Sequence, residues 1–140
     1  MKLLPLLLLF TSCAWTNFHQ RLAEKQISRV EQEFIQVANK NKVKPHRVKY
    51  NFANLKELFP KSNSWAGVCA KNNQIYFDIR WWNNSHSLDK EQVILHELGH
   101  CALGLKHGSG LMSQEPIPES FYLKNKQTLI QQLFDKYKLK

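Results

Sequence analysis

The stretch HELGHCALGLKHGSGLMSQ, residues 96–114, gathers three histidines, a glutamate and a methionine within nineteen positions. His96 and His100 stand four apart, so on a helix both imidazoles project from one face, one turn apart, close enough to bind the same ion. Glu97 falls on the flank of that face, where a carboxylate reaches water on the ion without itself being a ligand. Ile94, Leu98, Cys101 and Leu105 fall opposite. The predicted helix has a face for chemistry and a face for packing.

Two imidazoles do not make a catalytic centre. Zinc in such sites takes three protein ligands and keeps a fourth position for water, whose pKa falls to about 7. The third ligand has two candidates. His107 lies between two glycines, Gly104 and Gly108, either of which could turn the chain, and a strand returning beneath the helix would bring it to the ion. Glu119, 19 residues beyond His100, would supply a carboxylate from a later helix. Met112 sits in SGLMS, a predicted tight turn just after His107.

With these residues in place, the stretch resembles the metzincin clan of zinc metallopeptidases, whose signature HExxHxxGxxH is followed by a methionine-bearing turn. The short-spaced members, matrix metalloproteinases and archaemetzincins, are the most similar. It also resembles exported bacterial proteins of uncharacterised function that carry HELGHC with a longer spacing, a GxC strand and a tryptophan before the helix. Here those features are Gly67 to Cys69 and Trp81 or Trp82. The resemblance covers residues 65–114. It implies a small α+β zincin domain with one Zn2+ held by His96, His100 and His107, Glu97 as general base and Met112 as the turn methionine. It also implies that the strand QIYFDI, residues 74–79, forms the rim along which an extended peptide adds as a further strand.

The chain departs from the pattern at one point. Three residues, Cys101, Ala102 and Leu103, separate His100 from Gly104, where the clan has two. An extra helical residue adds about 100° of rotation and about 1.5 Å of rise. A turn of different geometry must absorb it.

Outward from the motif, Ser87 is the expected N-cap, with Asp89 and Glu91 in the first turn, where the helix dipole favours negative charge. Upstream, WAGVCA and QIYFDIRWW read as two β-prone runs around a polar KNN turn. Ile75, Phe77 and Ile79 share one face of the second run, and Tyr76, Asp78 and Arg80 the other. Val48, Tyr50 and Phe52 alternate as in a half-buried strand, and Leu55 to Phe59 suggests a short helical turn. Ala23, Ile27, Val30, Phe34 and Val37 form one stripe of an N-terminal helix. A final helix from Glu119 to Tyr137 carries Leu129, Ile130, Leu133, Phe134 and Tyr137 on one face. The fold class is α+β: N-terminal helix, short twisted sheet, active-site helix, Met-turn and C-terminal helix in one domain over residues 13–140.

MKLLPLLLLFTSC opens the chain with a lysine, a short apolar run and small residues, the layout of a secretory signal rather than a membrane span. FTSC resembles a bacterial lipobox, which implies a signal peptide over 1–12, cleavage before a lipidated Cys13 and tethering to a membrane surface. Cleavage after Ala14 would instead release a secreted protein. In an exported chain Cys69 and Cys101 are expected to form a disulfide, with two buried thiols as the other reading. The net charge of +9 is spread along the chain, with lysines 124, 126, 136, 138 and 140 near its end. Such charge suits a solvated helix face or anionic lipid headgroups. Aromatic and basic residues do not interleave, so nucleic acid is not an expected partner. His19, His46 and His86 lack ligand spacing. The expected activity is that of a monomeric, exported metalloendopeptidase in which Glu97 assists attack of water on a peptide bond. The alternative is a non-catalytic, membrane-tethered lipoprotein with a structural or vestigial zinc site.

Overall fold

The computed structural model describes residues 8–140, with side chains from residue 17 onward. Of the expected signal peptide over 1–12, residues 1–7 lie outside the described residues; the rest, with the expected lipidation site Cys13, falls in the backbone of the first helix, where side chains are not described. Five helices and a three-stranded mixed sheet make a small α+β domain. In chain order these are α1 (Leu8–Lys40), β1 (Lys49–Ala53), α2 (Leu55–Leu58), β2 (Gly67–Ala70), β3 (Gln74–Asp78), α3 (Ile79–Asn84), α4 (Ser87–Leu103) and α5 (Glu119–Lys138), with α2 and α3 short. Among the described residues, no helix is long and apolar enough to cross a membrane.

α1 runs for 33 residues and begins upstream of the stripe that predicted it. Ala23, Ile27, Val30, Phe34 and Val37 are all buried, as their spacing required. The chain leaves α1 through Lys42 at φ 55. The hairpin also forms: β2 pairs antiparallel with β3 across a turn in which Asn72 and Asn73 take left-handed conformations, a region Asn tolerates. β1 lies parallel to β3 on its other side, Tyr50 opposite Ile75 and Phe52 opposite Phe77. The strand order is therefore β1-β3-β2.

That order corrects the expected rim. β3, the QIYFDI run, is the central strand, and both of its edges are already paired. It cannot receive a peptide strand, because its ladder groups have partners. The run also ends earlier than its alternation suggests. Asp78 accepts a hydrogen bond from the Trp81 N–H at 2.9 Å and caps α3, while its other oxygen accepts from the Leu55 N–H at 3.1 Å. Ile79 and Arg80 are consequently helical, and Ile79 is exposed.

A second correction concerns α4. Its N-cap is His86, and the Ser87 hydroxyl makes no cap; it accepts from the Gln26 side chain of α1 at 3.0 Å. α4 is the centre of the domain, packed against β2, β3, α1 and α5. Ile94, Leu95, Leu98 and Leu103 meet Ile75 and Phe77 from the sheet, Phe34 from α1, and Ile130 and Phe134 from α5 in one buried cluster. Cys69 of β2 is disulfide-bonded to Cys101 of α4, with Cα atoms 5.5 Å apart. Closing a loop of 32 residues stabilises the fold by about 3–4 kcal/mol in the chain-entropy account.

Asp89 alone is acidic in the first turn of α4; Glu91 lies beyond it and, contrary to expectation, serves as an ion-pair partner rather than a dipole charge. It is almost fully buried, and it accepts hydrogen bonds from Lys126 Nζ at 2.8 Å, from Tyr122 OH at 3.2 Å and from Arg29. One carboxylate thus joins α1, α4 and α5. Burial alone would raise its pKa, but the hydrogen bonds from Lys126 and Arg29 outweigh burial and hold it below 4.5. Because the folded value is depressed, its stabilisation is present above the unfolded value and is lost as pH falls below 4.5 through the folded value. Glu91→Gln is expected to cost about 3 kcal/mol at neutral pH by removing the buried one of the two carboxylates, Glu91 and Glu33, that Arg29 and Lys126 share. Chemical denaturation across pH should show the gap from wild type closing in acid. A gap that does not vary with pH would remove the ion cluster from the account.

Candidate metal centre

The site is built where α4 ends. Gly104 adopts φ 65, a left-handed conformation open to glycine, and its N–H bonds the His100 carbonyl at 2.9 Å while the Leu105 N–H bonds Gly99 O at 2.9 Å. Of the two glycines that could turn the chain, Gly104 does so. This cap absorbs the extra residue between His100 and the glycine, because α4 continues through Leu103 and the chain reverses at Gly104. The chain beyond the cap is a loop rather than the expected returning strand. It carries His107 back over the helix face and closes in a 3-10 turn, Gly110–Met112, tied by Gly108 N–H to Met112 O at 2.9 Å.

His96, His100 and His107 each offer a ring nitrogen, and these atoms all lie within 4.8 Å of one another. The Nε2 atoms of His96 and His100 are 3.1 Å apart. Two nitrogens on a tetrahedral ion at about 2.0–2.1 Å stand about 3.3 Å from each other, so this pair fits. Each ring is oriented from behind. His96 Nδ1 is 2.7 Å from the Leu111 carbonyl, and His100 Nδ1 is 2.7 Å from the Leu105 carbonyl. A carbonyl there accepts the Nδ1 proton and leaves Nε2 unprotonated towards the ion, the tautomer that metal binding needs. Burial, with smaller effects from the neighbouring imidazoles, lowers the His96 pKa to about 4 even though the Leu111 bond opposes it. His100 is lowered for the same first reason. Both rings are neutral at pH 7 and free to coordinate. His107 is exposed and can adjust towards a shared cation.

Glu119, the other candidate third ligand, is the exposed first residue of α5 and is not in this group. His19, His46 and His86 are not in it either; the last stands at the N-cap position of α4 with no side-chain cap bond.

Met112 is fully buried beneath α4. A methyl added at Gly99 would overlap the Met112 sulfur. Gly99→Ala is therefore expected to push the turn away, cost about 1–3 kcal/mol and withdraw the Leu111 carbonyl from His96. Affinity for a metal ion should fall by about 10–100-fold, the usual effect of losing an outer-shell partner. Thermal unfolding and zinc titration read the two effects, and an unchanged affinity would separate the turn from the metal centre.

Glu97 is 4% exposed. Burial raises its pKa to about 7, and a hydrogen bond from the Cys69 backbone N–H partly opposes the rise. A carboxyl with that value exchanges protons at neutral pH. With His96 and His107 it lines a cleft of about 610 Å³, bordered by Trp65, Trp81 and Leu111. Of the two tryptophans singled out by the resemblance, Trp81 faces this cleft while Trp82 is buried in the core.

One contributor to the cleft carries no local signal. Gln92 holds its far wall, donating to Ile117 O at 3.0 Å and accepting from Ile117 N–H at 3.0 Å. Gly67 and Ala66 place the start of β2 on the near wall. β2 is thus the sheet edge beside the cleft, the position expected of β3 from sequence. Compared with known proteins, the chain matches no family model, no curated protein and no solved structure.

Proposed function

We propose that this chain is a zinc-dependent metalloendopeptidase of metzincin-like design, with His96, His100 and His107 as ligands and Glu97 as general base. The observation that carries the reading is three imidazoles within reach of one ion, two of which line a cleft together with a largely buried carboxyl poised near neutrality. An all-imidazole set of three suits zinc and leaves room for solvent and substrate. Zinc held there would supply a Lewis acid that polarises a peptide carbonyl and lowers the pKa of water to about 7. Glu97 accepts a proton from the attacking water and returns it to the leaving amine, so one group serves as base and then acid. The carbonyls of Leu111 and Leu105 keep the two helix imidazoles in the ligating tautomer. Met112 fills the floor on which the turn rests.

The Cys69–Cys101 disulfide supports an exported location, since such bonds persist in oxidising compartments. We extend the proposal to a monomer tethered to a bacterial membrane through Cys13, or secreted if cleaved after Ala14. The full chain loaded with zinc should retain about one ion and cleave a generic unfolded protein substrate. Failure to retain zinc sinks the reading. Retained zinc with no cleavage of a broad peptide library would favour the non-catalytic lipoprotein instead.

A further inference from the structure

Three features meet on one side of Glu97, and none of them is needed to hold a metal. β2 runs along the flank of α4 with Gly67 against the glutamate. A Cβ at Gly67 would stand 2.9 Å from Glu97 Cγ, 3.1 Å from Glu97 Oε1 and 3.1 Å from Val93 Cγ1. Two residues on, the Cys69 N–H donates to the Glu97 carboxylate. The Cys69 side chain is bonded in turn to Cys101, the residue after His100. The strand that seats Glu97 is therefore covalently joined to the helical turn that carries the second histidine.

β2 depends on that bond more than its neighbours would. It is four residues long and forms a sheet edge, hydrogen-bonded as a ladder to β3 alone. Its distance from α4 is otherwise set by side-chain packing. A small retreat of β2 takes the N–H away from the carboxylate and opens the space that Gly67 keeps tight, and Glu97 then samples other rotamers. The three histidines hang on α4 and the following loop, whose hydrogen bonds do not pass through β2.

We infer that Gly67 and Cys69 are positioning residues for Glu97, and that the Cys69–Cys101 disulfide makes the peptidase activity redox-dependent. The dithiol chain holds zinc but leaves Glu97 misaligned; the oxidised chain is the active one. The inference rests on the peptidase reading above and adds its regulation. The bond forms when the thiolate of one cysteine attacks the disulfide of a thiol-disulfide oxidant of the exporting compartment. The second cysteine then displaces that oxidant from the mixed disulfide as its dithiol, so two electrons pass to the oxidant and two protons leave the cysteines. Because Cys101 is buried, the oxidised state, once formed, resists small reductants. The activity would be silent before export and switched on after it.

The test compares three full-length proteins: oxidised wild type, C69A/C101A, and Gly67→Ala with the disulfide intact. Both variants should keep zinc content and KM within about twofold of wild type and lose about 10²-fold in kcat, the effect of misplacing a reacting group by about 1 Å. A second readout is independent of hydrolysis. In oxidised wild type, Glu97→Gln should move the amide resonance of residue 69, and in the C69A/C101A background the same change should leave it in place. Equal kcat in wild type and C69A/C101A, or a residue 69 amide indifferent to Glu97→Gln in the oxidised chain, overturns the proposal. So does joint loss of zinc and of cooperative unfolding in C69A/C101A, which would make the bond a staple of the fold and nothing finer. Should the oxidised wild type hold zinc yet cleave nothing, the peptidase reading has failed, and the amide readout still decides whether Glu97 is seated by β2.

Discussion

Glu97→Gln should keep zinc at about one ion per chain and lose peptide hydrolysis by about 10²–10⁴-fold, the usual contribution of a positioned general base. The substitution preserves shape, so the amide fits the space against Gly67 and the helix remains packed. What disappears is the ability to take up and return a proton. The wild-type pH profile should carry the same signature. On the proposed mechanism Glu97 works deprotonated, so activity should fall as pH drops through its pKa, about 7 in the metal-free protein. A cation bound at the adjacent histidines stabilises the carboxylate and moves this limb to lower pH. Measuring kcat/KM from pH 5 to 9 alongside zinc content checks both statements. Undiminished hydrolysis by the glutamine variant would transfer the base role to another group.

His107→Ala is expected to have the next largest effect, this time on the metal. It removes one of the three donors that the described residues bring together, so affinity should fall by more than the roughly 10–100-fold of an outer-shell change. Glu119→Ala should leave zinc binding as it was, because that carboxylate is exposed at the start of α5 and apart from the histidine group. Competition with a chromogenic chelator reads both variants on one scale. The reverse pattern, zinc lost with Glu119 and kept without His107, would replace the third ligand.

These expectations draw unequally on the sequence. The four-residue spacing of His96 and His100 places two rings on one face of any helix, and the structure has both on α4. The hairpin is equally legible, since β-prone runs around KNN need just a local turn. The end of β3 is legible in principle: Asp78 followed by Trp81 three residues later is a capping spacing, masked by a strand-like alternation that continues to Ile79. Glu91 reads from sequence as a helix-dipole residue because its partners, Arg29 and Lys126, lie 62 and 35 residues away.

Sequence by itself determined the long helices, the turn chemistry of the hairpin and the pair of imidazoles, because each arises from periodicities and backbone preferences acting over a few residues. Tertiary structure alone decided which strand borders the cleft, that Cys69 reaches Cys101, and that His107 joins the other two histidines. The Leu111 carbonyl behind His96 and the Ile117 backbone against Gln92 are 15 and 25 residues distant in the chain. Contacts at such separations are set when whole elements pack against α4, and no local pattern of side chains specifies them.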